Sequence, residues 1–178
     1  IIESILDLYI DKTTLKGVEG KEVEYLLSKG MLNSVYGMCV TDIVKDNNVY
    51  KDGWEIEPVN IDEKITEYNE SRNRFLYYAW GIWVTAYARR NLWTGILAMG
   101  EDYIYSDTDS IKALNYEKHK PYVDWYNDNV QGKLEDMCEH YNLDPERLKP
   151  KTIDGVEKPL GVWEFEGSYD MFKTLGAK

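Results

Sequence analysis

The run from Tyr105 to Ser110, with sequence Y-S-D-T-D-S, constrains the fold more than any other part of the chain. Apolar and polar residues alternate on both sides of it, which predicts strands over residues 102–106 and 109–114 joined by a tight turn. Such a hairpin projects Asp107 and Asp109 from its tip, where two carboxylates can hold a divalent cation against phosphate oxygens. The alternative is a solvated turn that contains two aspartates, and this run by itself does not exclude it.

Two helical segments at the start of the chain predict a protruding hairpin. Apolar residues recur at helical spacing over residues 2–10 and again over 21–36. The break between them contains two glycines, and Gly37 stands where the second helix is expected to stop. We therefore predict two antiparallel helices joined by a short turn.

The end of the second segment, from Lys29 to Gly37, reads K-x3-N-S-x-Y-G. In this order along the chain, K-x3-N-S-x-Y-G and Y-x-D-T-D-S resemble motifs B and C of family B DNA polymerases. Three further stretches resemble the protein-primed, phage-type branch of that family, namely Tyr9-Ile10-Asp11-Lys12, Thr85-Ala86-Tyr87-Ala88-Arg89 and Phe172-Lys173-Thr174-Leu175-Gly176-Ala177-Lys178. The resemblance covers most of the chain.

The resemblance implies nucleotidyl transfer by two metal ions, with Mg²⁺ as the cofactor and Mn²⁺ as a substitute. Asp109 would be the ligand shared between the ions, and Asp107 would support the site or bind one ion through water. Thr108 would orient the turn beside the primer-template DNA. Lys173 and Lys178 are competing matches to a family lysine that grips the primer terminus. Priming by a terminal protein or by a nucleic acid stays open.

The same resemblance implies a dNTP-binding face on the second helix. Lys21, Lys29 and Asn33 are separated by multiples of four residues, so on a helix they share one face. Lys29 would neutralise triphosphate charge. Asn33 and Tyr36 would flank the nascent base pair, and Tyr36 would exclude a 2′-hydroxyl by its volume. Gly37 would leave room for the backbone to approach, and Lys21 is either a further phosphate contact or a solvated lysine.

Together these patterns predict an α+β fold, in which helices pack on an antiparallel palm sheet and the two-helix fingers hairpin protrudes. We predict three regions: the fingers hairpin with motif B over residues 1–37, a β-hairpin insertion and connector over 38–72, and a palm part with motif C over 73–178. In the middle region, two short strands flank an Asp-Gly pair. They form either a template-encircling insertion or a plain surface hairpin.

The palm part is predicted to contain two helices, over residues 73–99 and 119–141, and two last strands, over 160–165 and 171–174. The aromatic residues of the first helix are assigned to packing rather than to base stacking, because aromatics at helical spacing more often lie in a core. His119 and His140 are predicted to be surface residues.

The formal net charge of −11 argues against nucleic-acid binding by this chain alone. Family B polymerases also need a run of the type D-x2-S-L-Y-P, which carries a further metal-binding aspartate and does not occur in this sequence. We therefore expect a piece of a longer polymerase, inactive by itself. Two alternatives are a catalytically silent palm-like interaction module and another palm nucleotidyltransferase, although the latter has no reason to contain K-x3-N-S-x-Y-G.

Two cysteines occur, Cys39 and Cys138, far apart and without partners at metal-ligand spacing. This predicts free thiols in a reducing compartment. No apolar run reaches the length that crosses a bilayer, so no membrane partner is expected. We predict the cytoplasm, that of a bacterial host if the chain is encoded by a phage or prophage.

Overall fold

A computed structural model describes residues 1–170 of the chain. These residues form a mixed α+β structure with five α-helices and two separate two-stranded antiparallel sheets, which confirms the predicted fold class at this coarse level. The elements in chain order are α1 (Ile2–Thr14), α2 (Glu22–Cys39), β1 (Asn47–Tyr50), β2 (Trp54–Glu57), α3 (Ile61–Glu70), α4 (Tyr78–Met99), β3 (Tyr103–Asp107), β4 (Ser110–Ala113) and α5 (Tyr116–His140). Short 3₁₀ turns occupy Gly100–Asp102 and Pro145–Leu148.

Helices α1 and α2 pack against each other as the predicted helical hairpin. Their connection contains Gly17 and Gly20 with φ of 79° and 76°, a region that glycine enters without a β-carbon clash. The predicted stop at Gly37 is wrong, because α2 continues to Cys39. A glycine inside a helix costs only about 1 kcal/mol relative to alanine, so the packed helix continues through it.

The buried core lies where α1, α5 and the Pro145–Leu148 turn meet. Leu6, Cys138 and Leu148 are 1%, 0% and 0% exposed. Partly buried apolar residues pack around these three, namely Ile2, Leu134, Met137, Leu143 and Leu160. Helix α1 therefore contributes to the same core as the region that follows α4, although the proposed domain boundaries at residues 37 and 72 remain a prediction.

Polar contacts strengthen the attachment of α1 to that later region. The Tyr9 hydroxyl donates to the Lys158 carbonyl at 2.9 Å, and partial burial raises the pKa of this hydroxyl. The Arg147 guanidinium pairs with the Asp7 carboxylate. Both contacts join residues more than a hundred positions apart, so α1 is fixed by tertiary structure rather than by its neighbours in sequence.

Both predicted β-hairpins are present. Strands β1 and β2 pair from Asn47 opposite Glu57 to Tyr50 opposite Trp54. Strands β3 and β4 pair from Tyr103 opposite Ala113 to Asp107 opposite Ser110. Among residues 1–170 each pair forms its own sheet, so a larger palm sheet is not confirmed. The acidic connector before α4 is a helix, α3, in which the Asn60 side chain caps the N-terminus.

The predicted strand over residues 160–165 is not formed. The Asn127 side chain instead accepts from the Trp163 amide at 2.7 Å and donates to the Trp163 carbonyl at 2.9 Å. The Gln131 side chain donates to the Leu160 carbonyl at 2.7 Å. These amide side chains of α5 satisfy the backbone groups that a neighbouring strand would otherwise pair. The other predicted strand, over 171–174, lies outside the described residues.

The aromatic residues of α4 do not pack as predicted. Trp80, Trp83 and Tyr87 are 46%, 60% and 52% exposed. The packed side of α4 is instead marked by small residues, since Gly81 and Gly95 are buried on it. Glycines let neighbouring segments approach the helix closely, whereas the large aromatic side chains remain exposed. In the described part of the chain, no helix combines the length and the hydropathy needed to span a membrane.

Candidate functional site

The tip of the β3–β4 hairpin is a very short turn that exposes both candidate acids. Asp107 ends β3, Ser110 begins β4, and only Thr108 and Asp109 lie between them. The Asp109 amide donates to the Asp107 carbonyl at 2.6 Å, and the Ser110 hydroxyl donates to the same carbonyl at 3.2 Å. Asp107, Thr108 and Asp109 are all exposed. Both carboxylates are therefore open to a cation from solvent.

Thr108 holds an unfavourable backbone conformation at the centre of this turn. Its φ is 48°, and a β-branched residue rarely enters this region because its side chain crowds the backbone. The Thr108 hydroxyl donates to Asp107 Oδ1 at 3.0 Å, which fixes one carboxylate oxygen relative to the turn. Such conformations cost about 1–3 kcal/mol and concentrate at functional sites.

The base of the hairpin is held by a cluster of polar side chains around Asp102. Asp102 Oδ1 accepts from the Asn115 side chain at 2.9 Å. Asp102 Oδ2 accepts from Lys118 at 2.7 Å and from His119 Nε2 at 2.8 Å. The Asp102 carbonyl also accepts from the Leu114 amide at 2.8 Å. We call Asp102, Asn115, Lys118 and His119 the base cluster.

The base cluster keeps Asp102 ionised. Its pKa is held far below the usual range, most strongly by the hydrogen bond from Lys118 and then by those from His119 and Asn115. A carboxylate can only accept hydrogen bonds, so His119 Nε2 must carry the proton in this contact. His119 is 6% exposed, and its prediction as a surface residue is therefore wrong. His140, at the other end of α5, is exposed as predicted.

One side of the hairpin also packs on α4. A β-carbon at Gly95 would stand 2.7 Å from Ile111 Cδ1 and 3.5 Å from Trp163 Cζ2. The glycine therefore allows β4 and the 160–165 segment to approach the helix. At the other end of α4, a β-carbon at Gly81 would stand 2.1 Å from Val40 Cγ1. Helix α4 thus contacts β4 near one end and the end of α2 near the other.

The two glycines give the spacing between the points at which α4 contacts the end of α2 and the β4 strand. Gly81 and Gly95 are fourteen residues apart, which is about 21 Å along an α-helix. The end of α2 and the β4 strand are therefore both supported by α4, at two separate points along its length.

The predicted dNTP-binding residues on and beside α2, namely Lys21, Lys29, Asn33, Tyr36 and Gly37, form an exposed surface that we call the α2 face. Lys21 immediately precedes the helix and pairs with Glu24 at 2.8 Å, and this hydrogen bond raises the pKa of Lys21. The Lys29 ammonium lies 5.9 Å from the centre of the Tyr25 ring. Asn33, Tyr36 and Gly37 follow along the helix, and all three are exposed. A β-carbon at Gly37 would meet no atom within 4 Å, so this position is open to a ligand.

The acids in the described structure do not complete a metal cage. Within residues 1–170, no group of three or more His, Cys, Asp or Glu side chains is placed to hold a metal ion. Asp107 and Asp109 supply the hard oxygen donors that Mg²⁺ prefers, but this ion needs six ligands in near-octahedral arrangement. Two carboxylates alone would leave most positions to water. Lys173 and Lys178, the candidates for a primer contact, lie outside the described residues.

The base cluster is the part of the site that sequence patterns did not identify. Asn115 immediately precedes α5, and Lys118 and His119 lie three and four residues further on, in the first turn of the helix. Asp102 immediately precedes β3. An acid before the first strand and a donor-rich helical turn after the second could have suggested that they meet at the base of the hairpin.

The cysteines have structural surroundings. Cys138 is in the core, Cys39 is buried at the end of α2, and both are free thiols. Neither thiol belongs to the hairpin or to the α2 face.

Comparison with known proteins adds no further candidate site, because no family model, curated protein or solved structure matches this chain.

Proposed function

We propose that this chain is part of a DNA-directed DNA polymerase of the family B type, of the protein-primed or phage branch. One observation carries the proposal: Asp107 and Asp109 are exposed at the tip of a two-residue turn in which Thr108 has a φ of 48°. A plain solvated turn has no reason to retain a threonine in this conformation, because glycine or asparagine enters it more easily. A turn that must present two carboxylates in a fixed arrangement does have a reason to contain a threonine in this conformation.

The proposed reaction attaches a nucleotide to the 3′-hydroxyl of a primer. Mg²⁺ would supply Lewis acidity at this hydroxyl and charge neutralisation at the leaving pyrophosphate. Asp109 would hold the ions directly, and Asp107 would support the site, its Oδ1 being fixed by the Thr108 hydroxyl. Since the described acids are too few for a complete cage, a further carboxylate from elsewhere in the polymerase is part of the proposal.

The α2 face supports dNTP binding in the same proposal. Lys29 presents an ammonium and Asn33 an amide one helical turn later, both exposed. An ammonium there would neutralise triphosphate charge, and the Tyr36 ring would restrict the space beside the sugar. Helix α4 supports both parts of the proposed site, since the end of α2 and the β4 strand contact it about 21 Å apart along its length.

The isolated chain is proposed to be inactive. Its net charge of −11 opposes association with DNA, since binding to phosphates requires cations on the protein. Mg²⁺ also gives up its water reluctantly to an incomplete set of ligands. The dNTPs and primer-template DNA are therefore partners of the longer polymerase rather than of this chain alone, and a terminal protein is a further candidate primer.

Asp109→Asn in the longer polymerase tests the proposal. We expect primer extension to fall by about 10³-fold or more, because the loss is concentrated in stabilisation of charge in the transition state. DNA affinity, measured separately by fluorescence anisotropy, should change little. Asp52→Asn is the matched control, since Asp52 also lies in a hairpin turn between paired strands. Primer extension at a near-normal rate by Asp109→Asn would contradict the assignment of Asp109 as a metal ligand.

A second candidate is a catalytically silent palm-like interaction module. The exposed aromatic side chains of α4, Trp80, Trp83 and Tyr87, favour it, because soluble monomers rarely expose large contiguous apolar surface. The adjoining gene sequence separates the two candidates. A polymerase requires a D-x2-S-L-Y-P run before this chain, and a silent module does not.

A further inference from the structure

We infer that the base cluster is a positioning device that sets the direction in which the β3–β4 hairpin presents Asp107 and Asp109. Its importance for nucleotidyl transfer rests on the proposed function, but its effect on the hairpin can be tested separately. None of the four side chains is proposed to touch a metal ion or a nucleotide. Their role is to hold the backbone from which the acids project.

The cluster joins the residue that precedes the hairpin to the residues that follow it. Asp102 immediately precedes β3, whereas Asn115, Lys118 and His119 follow β4. Three side-chain donors from the later segment converge on the two oxygens of one carboxylate, at 2.7–2.9 Å. The bond from the Leu114 amide to the Asp102 carbonyl closes the same junction through the backbone. The strands are therefore tied together at the end that lies farthest from the acids.

The conformation of Asn115 shows that the junction is specifically shaped. Asn115 has a φ of 51°, a left-handed conformation that asparagine accepts more readily than most residues. This conformation turns the chain from β4 into α5 while the Asn115 amide reaches Asp102. The turn brings Lys118 and His119, in the first turn of α5, to the other carboxylate oxygen. One acid thereby defines the angle between the hairpin and α5.

A small change at this base would produce a large change at the tip. Asp107 lies five positions beyond Asp102 along the strand, a length of about 17 Å. A rotation of about 10° at the base would therefore displace the tip by about 3 Å. A displacement of only about 1 Å in a catalytic arrangement can cost about 10²-fold in rate. A two-stranded hairpin is also marginally stable by itself, so its direction must be fixed by contacts elsewhere.

The buried histidine offers the sharpest test. His119→Phe removes the donor to Asp102 and keeps a ring of similar size, whereas His119→Gln keeps an N–H donor. His140→Phe is the matched control, because His140 lies on the same helix and is exposed. The experiment measures amide hydrogen exchange by NMR in all three variants of this chain. It then adds Mn²⁺ and measures paramagnetic broadening of the Thr108, Asp109 and Ser110 amides.

We expect His119→Phe to raise exchange of the β3–β4 amides by about tenfold or more, the effect of losing a charge-assisted hydrogen bond. Exchange in the β1–β2 hairpin and in the α1 core should stay within about twofold. His119→Gln should restore most of the protection, and His140→Phe should change nothing. Where the wild-type tip amides are broadened by Mn²⁺, His119→Phe should weaken that broadening.

Two results would overturn the positioning role. One is unchanged exchange of the β3–β4 amides in His119→Phe, and the other is an equal rise at every amide, which would indicate a general stability effect. If the wild-type tip shows no Mn²⁺ broadening while His119→Phe still loosens the hairpin, the positioning role stands and the proposed metal site fails. If His119→Phe does not fold, Lys118→Met provides the same comparison, because Lys118 also donates to Asp102 and its side chain is exposed.

Discussion

The two β-hairpins of this chain have similar lengths and opposite surroundings. Strands β1 and β2 are almost wholly exposed, with Tyr50, Trp54 and Ile56 at 68%, 77% and 68%. Strands β3 and β4 contact α4 through Ile111 and are tied at their base by Asp102. The first hairpin is held mainly by its own cross-strand pairs, such as the Tyr50 and Trp54 rings 5.5 Å apart. The second is held by the rest of the molecule.

This difference explains why the two turns contain different residues. The β1–β2 turn uses Asp52 and Gly53, a pair that favours a hairpin by local chemistry. The β3–β4 turn contains Thr108 in a conformation that local chemistry opposes. An unfavourable turn persists only where the surrounding structure determines it. Anchorage at the base and on α4 therefore allows this hairpin to keep a turn that local chemistry disfavours.

The largest expected contrast concerns packing. Ile111→Ala should lower the free energy of unfolding by about 2 kcal/mol, because it removes a side chain that packs against α4. Ile56→Ala, at a 68% exposed position of the other hairpin, should change it by less than about 0.5 kcal/mol. Urea denaturation followed by circular dichroism measures both. Equal effects would remove the distinction between an anchored and an unanchored hairpin.

The contribution of Asp102 to stability can be tested by measuring unfolding over a range of pH. Since the pKa of Asp102 is lowered in the folded state, its stabilising effect is fully present above its unfolded pKa of about 4. It is lost progressively as the pH falls below that value towards the folded pKa. The urea midpoint of the wild type should therefore fall more steeply between about pH 5 and pH 2 than that of Asp102→Asn. Parallel curves for the two proteins would contradict the assignment.

Glycine substitutions in the two turns should change the free energy of unfolding in opposite directions. Thr108→Gly should raise the free energy of unfolding by about 0.5–1 kcal/mol, because relief of the left-handed strain exceeds the entropic penalty of glycine. Asp52→Gly has no such strain to relieve, since Asp52 is not among the described residues with positive φ. It should lower stability by about 0.5 kcal/mol. Thermal denaturation distinguishes the two signs, and destabilisation by Thr108→Gly would show that the threonine fits its turn.

The smallest effect concerns the surface charges of the β1–β2 hairpin. Lys51 pairs with Glu57 at 2.6 Å and with Glu55 at 3.7 Å, but all three side chains are well exposed. Lys51→Met should alter the free energy of unfolding by less than about 0.5 kcal/mol. This difference in stability should be smaller still in 0.5 M NaCl, because the Debye length there is about 4 Å and exposed charges are screened. A loss above 1 kcal/mol would mean that this hairpin is also anchored by charge.

The sequence predicted those parts of the fold that local patterns determine. Alternation around Tyr105 predicted β3 and β4, and helical spacing predicted α1, α2, α4 and α5 to within a few residues. The predicted stop at Gly37 failed because helix continuation outweighed a single glycine. The strand predicted over 160–165 failed because Asn127 and Gln131, from a distant helix, satisfy its backbone. Sequence periodicity in that segment carries no information about these partners.

The candidate site likewise contains residues that local patterns identified and residues that they missed. Asp107, Asp109 and the exposed residues of α2 were identified from short motifs, whose spacing is local. The base cluster was missed because Asp102 and His119 are seventeen positions apart and meet only after β3 and β4 have paired. The histidine was assigned to the surface from helix position alone. Its burial depends on a hairpin folding back over the first turn of α5.

Helix α4 has a consequence that follows from its two buried glycines. Fourteen residues make nearly four turns, so Gly81 and Gly95 face directions only about 40° apart. The end of α2 and the β4 strand consequently lie on the same side of this helix. Insertion of a single alanine between the glycines would lengthen the interval by only about 1.5 Å but would swing the hairpin by about 100° around the helix. The register of this one helix, more than its length, therefore sets the direction of the hairpin and its paired aspartates relative to the end of α2.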